Sequence, residues 1–528
     1  MTLLTLEKAK DWAEKFLERE VRVSNLSYLT QYGQVRKFGE NGQTLISLED
    51  LKNYYQSYRS QKESRWKKHL GQDLNWALSF DHLRESDTTK HVHRLHPYKG
   101  KFIPQLVGYF IDDHIDNFKN EVYFKKGDII LDPFAGSGTA LIQVNELGMH
   151  SIGIDISQFN CMIAECKMHH YDVDYLREAI KKLLSAIVRF ETNIQIQNFE
   201  QELLAEINKF NYKNFPNSKY RYNIRQQKIN EYKYAPAKEK EFLLIYEGLV
   251  KKHSIKLKQN KADNFLDKWY ILNVRQEIDF VFDLIKKEKN LKIKKLLALI
   301  LSRTIRSCRA TTHSDLATLK NPQLTTYYCW KHKKICKPIF SIKTMLNRYL
   351  WDTLRRVDEF GKIKTKAFWS IIPADSKTVN IFQEVEKRHP KFADLLKKQK
   401  IQGIFTSPPY VGQIDYHEQH AYAYDLFGFK RKDDLEIGPL YKGKGLEARQ
   451  SYVQGIADVL NNCKKYLAPD YNVFLVANDK FNLYPQIAEK SGMKIVNQFK
   501  RPVLNRTERD RTPYSEIIFH LKGIFYEF

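Results

Sequence analysis

The run "GDIILDPFAGSGTALIQVNELGMHSIGIDIS", residues 127–157, decides the fold. "GDIILD" is a short, continuously apolar stretch of strand length. "PFAGSGT" is a glycine loop, "ALIQVNELG" a helix closed by Gly148, and "HSIGIDI" a second strand. Strand, loop, helix and strand in that order build a parallel α/β sheet. The same texture returns far downstream in "FWSIIPADS", "IQGIFTSPPY" and "NVFLVAND". It closes with "KIVNQFKRPVL" and "SEIIFHLKG", which read as an antiparallel pair joined by the charged loop "NRTERDRTPY". Between about Tyr171 and Lys366 the alternation stops, and a helical stretch rich in Lys, Asn, Tyr and Glu takes over. The expected organisation is an α/β domain in two parts, 91–170 and 367–528. A mostly helical insertion, 171–366, interrupts it, and a helical region, 1–90, precedes it.

The chain has 528 residues, enough for several cores, and 87 Lys and Arg against 62 Asp and Glu leave a net charge of +25. So large an excess speaks about partners rather than fold, and nucleic acid is the simplest polyanion. Six cysteines make no disulfide framework in a chain this long. The opening residues read as an amphipathic charged helix rather than a signal peptide, and no apolar run nears the roughly 20 residues of a membrane span. A soluble cytoplasmic protein is expected.

In the glycine loop, Gly136 and Gly138 let the backbone approach a ligand, and the following helix start offers free N–H groups. The loop lacks the Lys-Ser/Thr ending of a P-loop and the spacing of a dinucleotide fingerprint. Asp155, ending the second strand, is placed to accept from two ribose hydroxyls, and Asp132 offers a carboxylate to an amino group. A ligand with an ammonium at one end and a ribose at the other is S-adenosylmethionine. A packing turn with a surface Asp is the plain alternative.

"TSPPY", Thr406–Tyr410, follows the strand "IQGIF". Two prolines cannot donate to a sheet ladder, so the strand ends there on a stiffened turn. "DPFAGSGT" followed much later by "TSPPY" resembles the amino-methyltransferase family of DNA methyltransferases, which methylate the exocyclic nitrogen of cytosine or adenine. "GIDIS" and the upstream "HPYKGKFIP" extend the likeness over the α/β parts, perhaps half the chain. The motif order is similar to the α arrangement of that family. The resemblance implies a Rossmann-like methyltransferase sheet and S-adenosylmethionine as cofactor. It places Lys101, Phe102, Asp132, Phe134, Gly136, Ser137, Gly138, Thr139, Asp155, Ile156, Asp375 and Thr406 around that cofactor. Catalysis falls to Ser407, Pro408, Pro409 and Tyr410. The Ser407 hydroxyl and the Pro408 carbonyl accept from the amine, and Tyr410 stacks on a base flipped out of the duplex. Ser before the two prolines is usual for cytosine N4 in this family, whereas Asp or Asn is usual for adenine.

The expected activity is therefore a site-specific cytosine-N4 DNA methyltransferase of a prokaryotic restriction-modification system. It would act on nucleoid double-stranded DNA beside a cognate restriction endonuclease. Adenine N6, guanine N2 of RNA, and an idle DNA-binding subunit are the other readings. Lys101 and Phe102 could instead belong to a plain loop-to-helix start, and Asp375 to a strand cap. "YKNFPNSKYRYNIRQQK", residues 212–228, interleaves basic and Tyr residues and is the candidate base-reading stretch, although solvated helix faces look similar. Tyr416 and His417 in "IDYHEQHAYAYDLFGF" are expected beside the base pocket, and Arg501, Arg506, Arg509 and Arg511 near the DNA backbone. Cys308, His313, Cys329, His332 and Cys336 could supply four zinc ligands. Their spacing matches no recognised finger, and no metal is assigned on it.

Overall fold

A computed structural model describes residues 2–17, 21–31, 35–39, 44–59, 62–81, 83, 85–98, 100–190, 194–260, 263–313, 321–504 and 512–524. The chain divides into two compact units. The larger holds residues 66–189, 278–307 and 342–528, and the smaller holds 1–65, 190–277 and 308–341.

The larger unit is built on a mixed sheet of seven strands. In chain order they are β1 (Ile129–Asp132), β2 (His150–Asp155), β3 (Trp369–Pro373), β4 (Ile401–Thr406), β5 (Leu467–Ala477), β6 (Met493–Pro502) and β7 (Ser515–Gly523). Across the sheet they run β6-β7-β5-β4-β1-β2-β3. The pairs β5/β4, β4/β1, β1/β2 and β2/β3 are parallel, while β7 is antiparallel to both β5 and β6. Every residue of β1 is buried, as a central parallel strand covered on both faces requires. One face packs on the helix Leu446–Lys464, whose Tyr452, Val453, Ile456, Val459, Leu460 and Cys463 recur at helical spacing. On the other face Phe110, from the helix α1 (Pro104–Ile111), lies 5.2 Å from Phe474 and 5.1 Å from Phe499 between ring centroids. From β1 the chain moves one way to β2 and β3, then returns to place β4 on β1's other side. That reversal leaves a crevice beyond the carboxyl ends of β1 and β4, where α/β sheets bind ligands.

The unit boundaries differ from those expected at residues 90, 170 and 366. Residues 66–90 join the larger unit, where Asn75 donates to the Lys500 carbonyl of edge strand β6 at 2.7 Å. The helices Leu291–Ser307 and Lys343–Gly361 also belong there, joined by Arg303 to Asp352 at 2.9 Å. Leu291–Ser307 is buried continuously from Leu296 to Ile305, and the unbroken apolar run Leu296–Leu301, which covers every face of the helix, must lie inside.

The smaller unit is not purely helical. Leu3–Thr5, Lys37–Phe38 and Leu45–Ser47 form a three-stranded antiparallel sheet, so the helix expected at the start begins only at Leu6. Tyr327–Cys329 and Lys334–Cys336 form a hairpin within the insertion. The intervening helices Ile194–Asn214, Asn217–Arg225 and Glu231–Lys252 belong to the same unit.

Candidate active site

A cavity of about 880 Å³, its open mouth included, occupies that crevice. Its floor is the glycine loop between β1 and the helix α2 (Thr139–Glu146). Gly136 and Gly138 have φ of 48° and 77°, the left-handed region that suits glycine. A Cβ on Gly136 would sit 2.9 Å from the Tyr98 hydroxyl, and one on Gly138 would sit 2.8 Å from the Ala164 Cβ. Two hydroxyls of the loop, Ser137 Oγ and Thr139 Oγ1, are buried with no hydrogen-bond partner among the described residues.

Asp132 ends β1 and accepts from Thr406 Oγ1 at 2.6 Å and from the Phe134 N–H at 3.1 Å. Burial outweighs those donors and pushes its carboxyl up to about 7. Asp155, ending β2, takes the Gly136 N–H at 2.9 Å, the Ser157 N–H at 2.8 Å and Asn160 Nδ2 at 3.1 Å. Burial still lifts it to about 6. A carboxylate offers about four lone-pair sites, so Asp155 keeps one for a ligand. Glu436 joins from the loop beyond the proline turn. It accepts from the His417 N–H at 3.0 Å, and burial raises it to about 7. Its second oxygen, Asn160 Oδ1 and His417 Nε2 are buried without hydrogen-bond partners among the described residues. Lys101 is the cation at the wall, but its ammonium donates to the His93 carbonyl at 2.8 Å, and burial lowers it to about 8.

Lys101, Phe102, Asp132, Phe134, Gly136, Ser137, Thr139, Asp155, Ile156, Asp375, Ser407 and Pro409 all border the cavity. Asp375 follows β3, where it accepts from the Lys377 N–H, and Ser376 next to it donates to the Pro133 carbonyl at 2.6 Å. Gly138, Thr406, Pro408 and Tyr410 are not among the lining residues. Gly138 caps α2, Thr406 orients Asp132, and Tyr410 is half-buried with its hydroxyl donated to Glu516 Oε1 at 2.9 Å. Ser407 donates to the Val476 carbonyl at 3.0 Å.

Tyr416 and His417 also line the cavity. Sequence reasoning missed Tyr98, Ser157, Asn160 and Glu436. Ser157 had a signal, since a Ser two residues past a strand-end Asp is a natural helix N-cap, and it accepts from the Asn160 N–H at 3.2 Å. Glu436 had none. In the stretch 212–228, Tyr220 is buried and Arg221 donates to the His332 carbonyl at 2.7 Å, so part of the proposed base-reading surface is internal structure. Arg501 is buried too, whereas Arg506, Arg509 and Arg511 lie outside the described residues.

A DNA methylase family of the N6/N4 type matches residues 14–166, a segment that holds the glycine loop and Asp155 and stops short of Ser407. Type II methyltransferase M.MjaII of Methanocaldococcus jannaschii is 47% identical over 526 residues, 98% of this chain and 97% of that protein. The chain belongs to the N6/N4 DNA methylase family. Shorter likenesses reach Type II methyltransferase M.BsoBI of Geobacillus stearothermophilus, at 34% over 101 residues (19% of this chain, 18% of that one), and M.MvaI of Kocuria varians, at 29% over 146 residues (27% and 31%).

Methylases of this family take their methyl group from S-adenosylmethionine, and the cavity suits that cofactor. Asp132, Asp155 and Glu436 give it a negative lining for a ligand bearing a sulfonium and an ammonium. The unpartnered Ser137, Thr139 and Asn160 atoms are left for a polar one. Among the described residues no helix is long and apolar enough to cross a membrane.

Proposed function

We propose that this methylase transfers a methyl group to the exocyclic N4 of cytosine in double-stranded DNA, at a specific site and with the base flipped out of the duplex. The observation that carries the reading is the commitment of the Ser407 proton. Because the hydroxyl donates to the Val476 carbonyl, Ser407 Oγ keeps its lone pairs for accepting, and Ser407 borders the cavity. An exocyclic amine is a poor nucleophile while its lone pair is delocalised into the ring. Acceptors aimed at its N–H groups draw that nitrogen toward tetrahedral geometry and release the pair. Ser407 Oγ serves as one acceptor and the Pro408 carbonyl, stiffened by the two prolines, as the other.

Around the cofactor the sheet reads as a Rossmann-like methyltransferase sheet. Asp155 would hold the ribose, Asp132 the amino group, and Asp375 the adenine end, with Ser137, Thr139, Phe102 and Lys101 lining its path. S-adenosylmethionine, when bound, supplies a methyl group already activated on sulfur. Tyr410 would stack on the flipped base, its ring held by the bond to Glu516. The amine proton departs after transfer, so no strong base is required at Ser407. The relatives are named Type II methyltransferases, which supports the same role here. The cognate restriction endonuclease would then be its functional counterpart, and DNA in the prokaryotic cytoplasm its substrate. The smaller unit, with most of the insertion, is the candidate target-recognition region.

The test combines purified protein, S-adenosylmethionine and a duplex of mixed sequence, with nucleosides identified by mass spectrometry. N4-methylcytosine is the expected product. N6-methyladenine would keep the site and overturn the base assignment, and no methylated nucleoside would overturn both.

A further inference from the structure

Four side chains of the smaller unit, none of them lining the cavity just described, converge. His313, Cys329, His332 and Cys336 each bring one ligand atom to a common point, all within 4.8 Å of one another. Cys329 and Cys336 lie on the same face of the hairpin, because Tyr327 pairs with Cys336 and Cys329 with Lys334. The hairpin tip turns through Lys333 at φ 57°, and this brings His332 back over the cysteines. The His332 N–H points at Cys329 Sγ at 3.3 Å.

We propose that these four residues bind one zinc ion as a structural His₂Cys₂ site. Tetrahedral zinc with Zn–S near 2.3 Å and Zn–N near 2.0–2.1 Å separates a sulfur from a nitrogen by about 3.6 Å. Cys329 Sγ lies 3.7 Å from His313 Nδ1, and Cys336 Sγ lies 3.6 Å from His332 Nδ1. Two soft sulfurs and two imidazoles in that arrangement select zinc over hard cations. The Tyr327 hydroxyl sits 2.8 Å from His313 Nδ1, so coordination through that nitrogen would take the place of this contact. Cys308, the fifth candidate in the sequence, is buried and outside the cluster.

The fold around the hairpin says what the ion would do. Asn211 holds Ile335 through its N–H and carbonyl at 2.9 and 3.0 Å, Arg221 holds the His332 carbonyl, and Glu231 holds Lys333 and Tyr328. Three successive helices thus lean on one short hairpin, and a two-stranded hairpin alone is marginal in water. Zinc would lock it from the inside and tie in the segment carrying His313.

The experiment measures metal in the full-length protein purified without chelator, by mass spectrometry of the metal, and titrates chelated protein with Co²⁺. About one zinc per chain is expected, with the visible bands of tetrahedral thiolate-bound cobalt on substitution. The Cys329→Ser/Cys336→Ser pair should lose the metal, and Cys308→Ala should keep it. Should the double variant fail to fold, the cobalt spectrum of the unaltered chain still decides. Native protein free of zinc that gives no thiolate–cobalt bands would overturn the site. Full zinc retention by the double variant would overturn its ligands.

Discussion

Asp132 and Glu436 carry carboxyls raised to about 7, and Asp155 one raised to about 6, because burial disfavours their charged forms. A cationic ligand prefers them ionised. As pH rises through those values the protonated fraction falls, so cofactor affinity should rise between pH 6 and pH 8. The gain is about tenfold for each group near 7 that must ionise. The sign reverses for the cofactor-free protein, whose stability from these groups declines as pH rises from the ordinary carboxylate range, about 4, to about 7. Calorimetric titration of the cofactor between pH 6 and pH 8 checks the first, and a flat profile would show that the acids do not face the cation. Ser407→Ala should lower kcat by about a hundredfold with cofactor affinity nearly unchanged, since its acceptor acts on the amine and not on the donor. Tyr410→Ala should likewise lose methyl transfer and keep cofactor binding, checked by product assay beside calorimetry.

At the scale of elements, the glycine loop is where geometry leaves least room. Gly138 caps α2 at φ 77°, and any Cβ meets Ala164 on the helix α3 (Gln158–Met168). Gly138→Ala should destabilise the protein by about 1–3 kcal/mol through strain alone. Gly361→Ala, where an added Cβ meets nothing within 4 Å, is the matched control. Denaturant melts of both separate a local clash from a general loss of glycine. The loop, the proline turn and the acid at each strand end were legible because each depends on residue types at short spacing. Tyr98 and Glu436 were not, since they reach the cavity from loops whose paths depend on what they pack against.

For the molecule as a whole, the +25 charge is an argument about DNA. Neutralising six to ten phosphates would weaken binding by about 10³–10⁵ between 50 and 200 mM salt. Fluorescence anisotropy with a labelled duplex measures that slope, and a shallow one would assign the excess to solvated surface. The domain plan drawn from texture placed residues 171–366 in one block. Packing instead assigned 278–307 and 342–366 to the larger unit, and gathered 1–65 with 190–277 and 308–341. Helical periodicity states which face of a helix is apolar but not which unit covers it. Only the apolar run Leu296–Leu301 carried a hint of burial.

By itself the sequence determined the α/β class, the family, the glycine loop and the serine–proline turn, because local backbone demands are written in glycines, prolines and apolar runs. Tertiary structure alone decided that β4 returns to β1's open side, which brings Thr406 to Asp132 and opens the cavity between them. It also decided that two histidines and two cysteines, irregular in spacing, meet at one point. Both are meetings of residues distant in the chain, settled by strand order and packing.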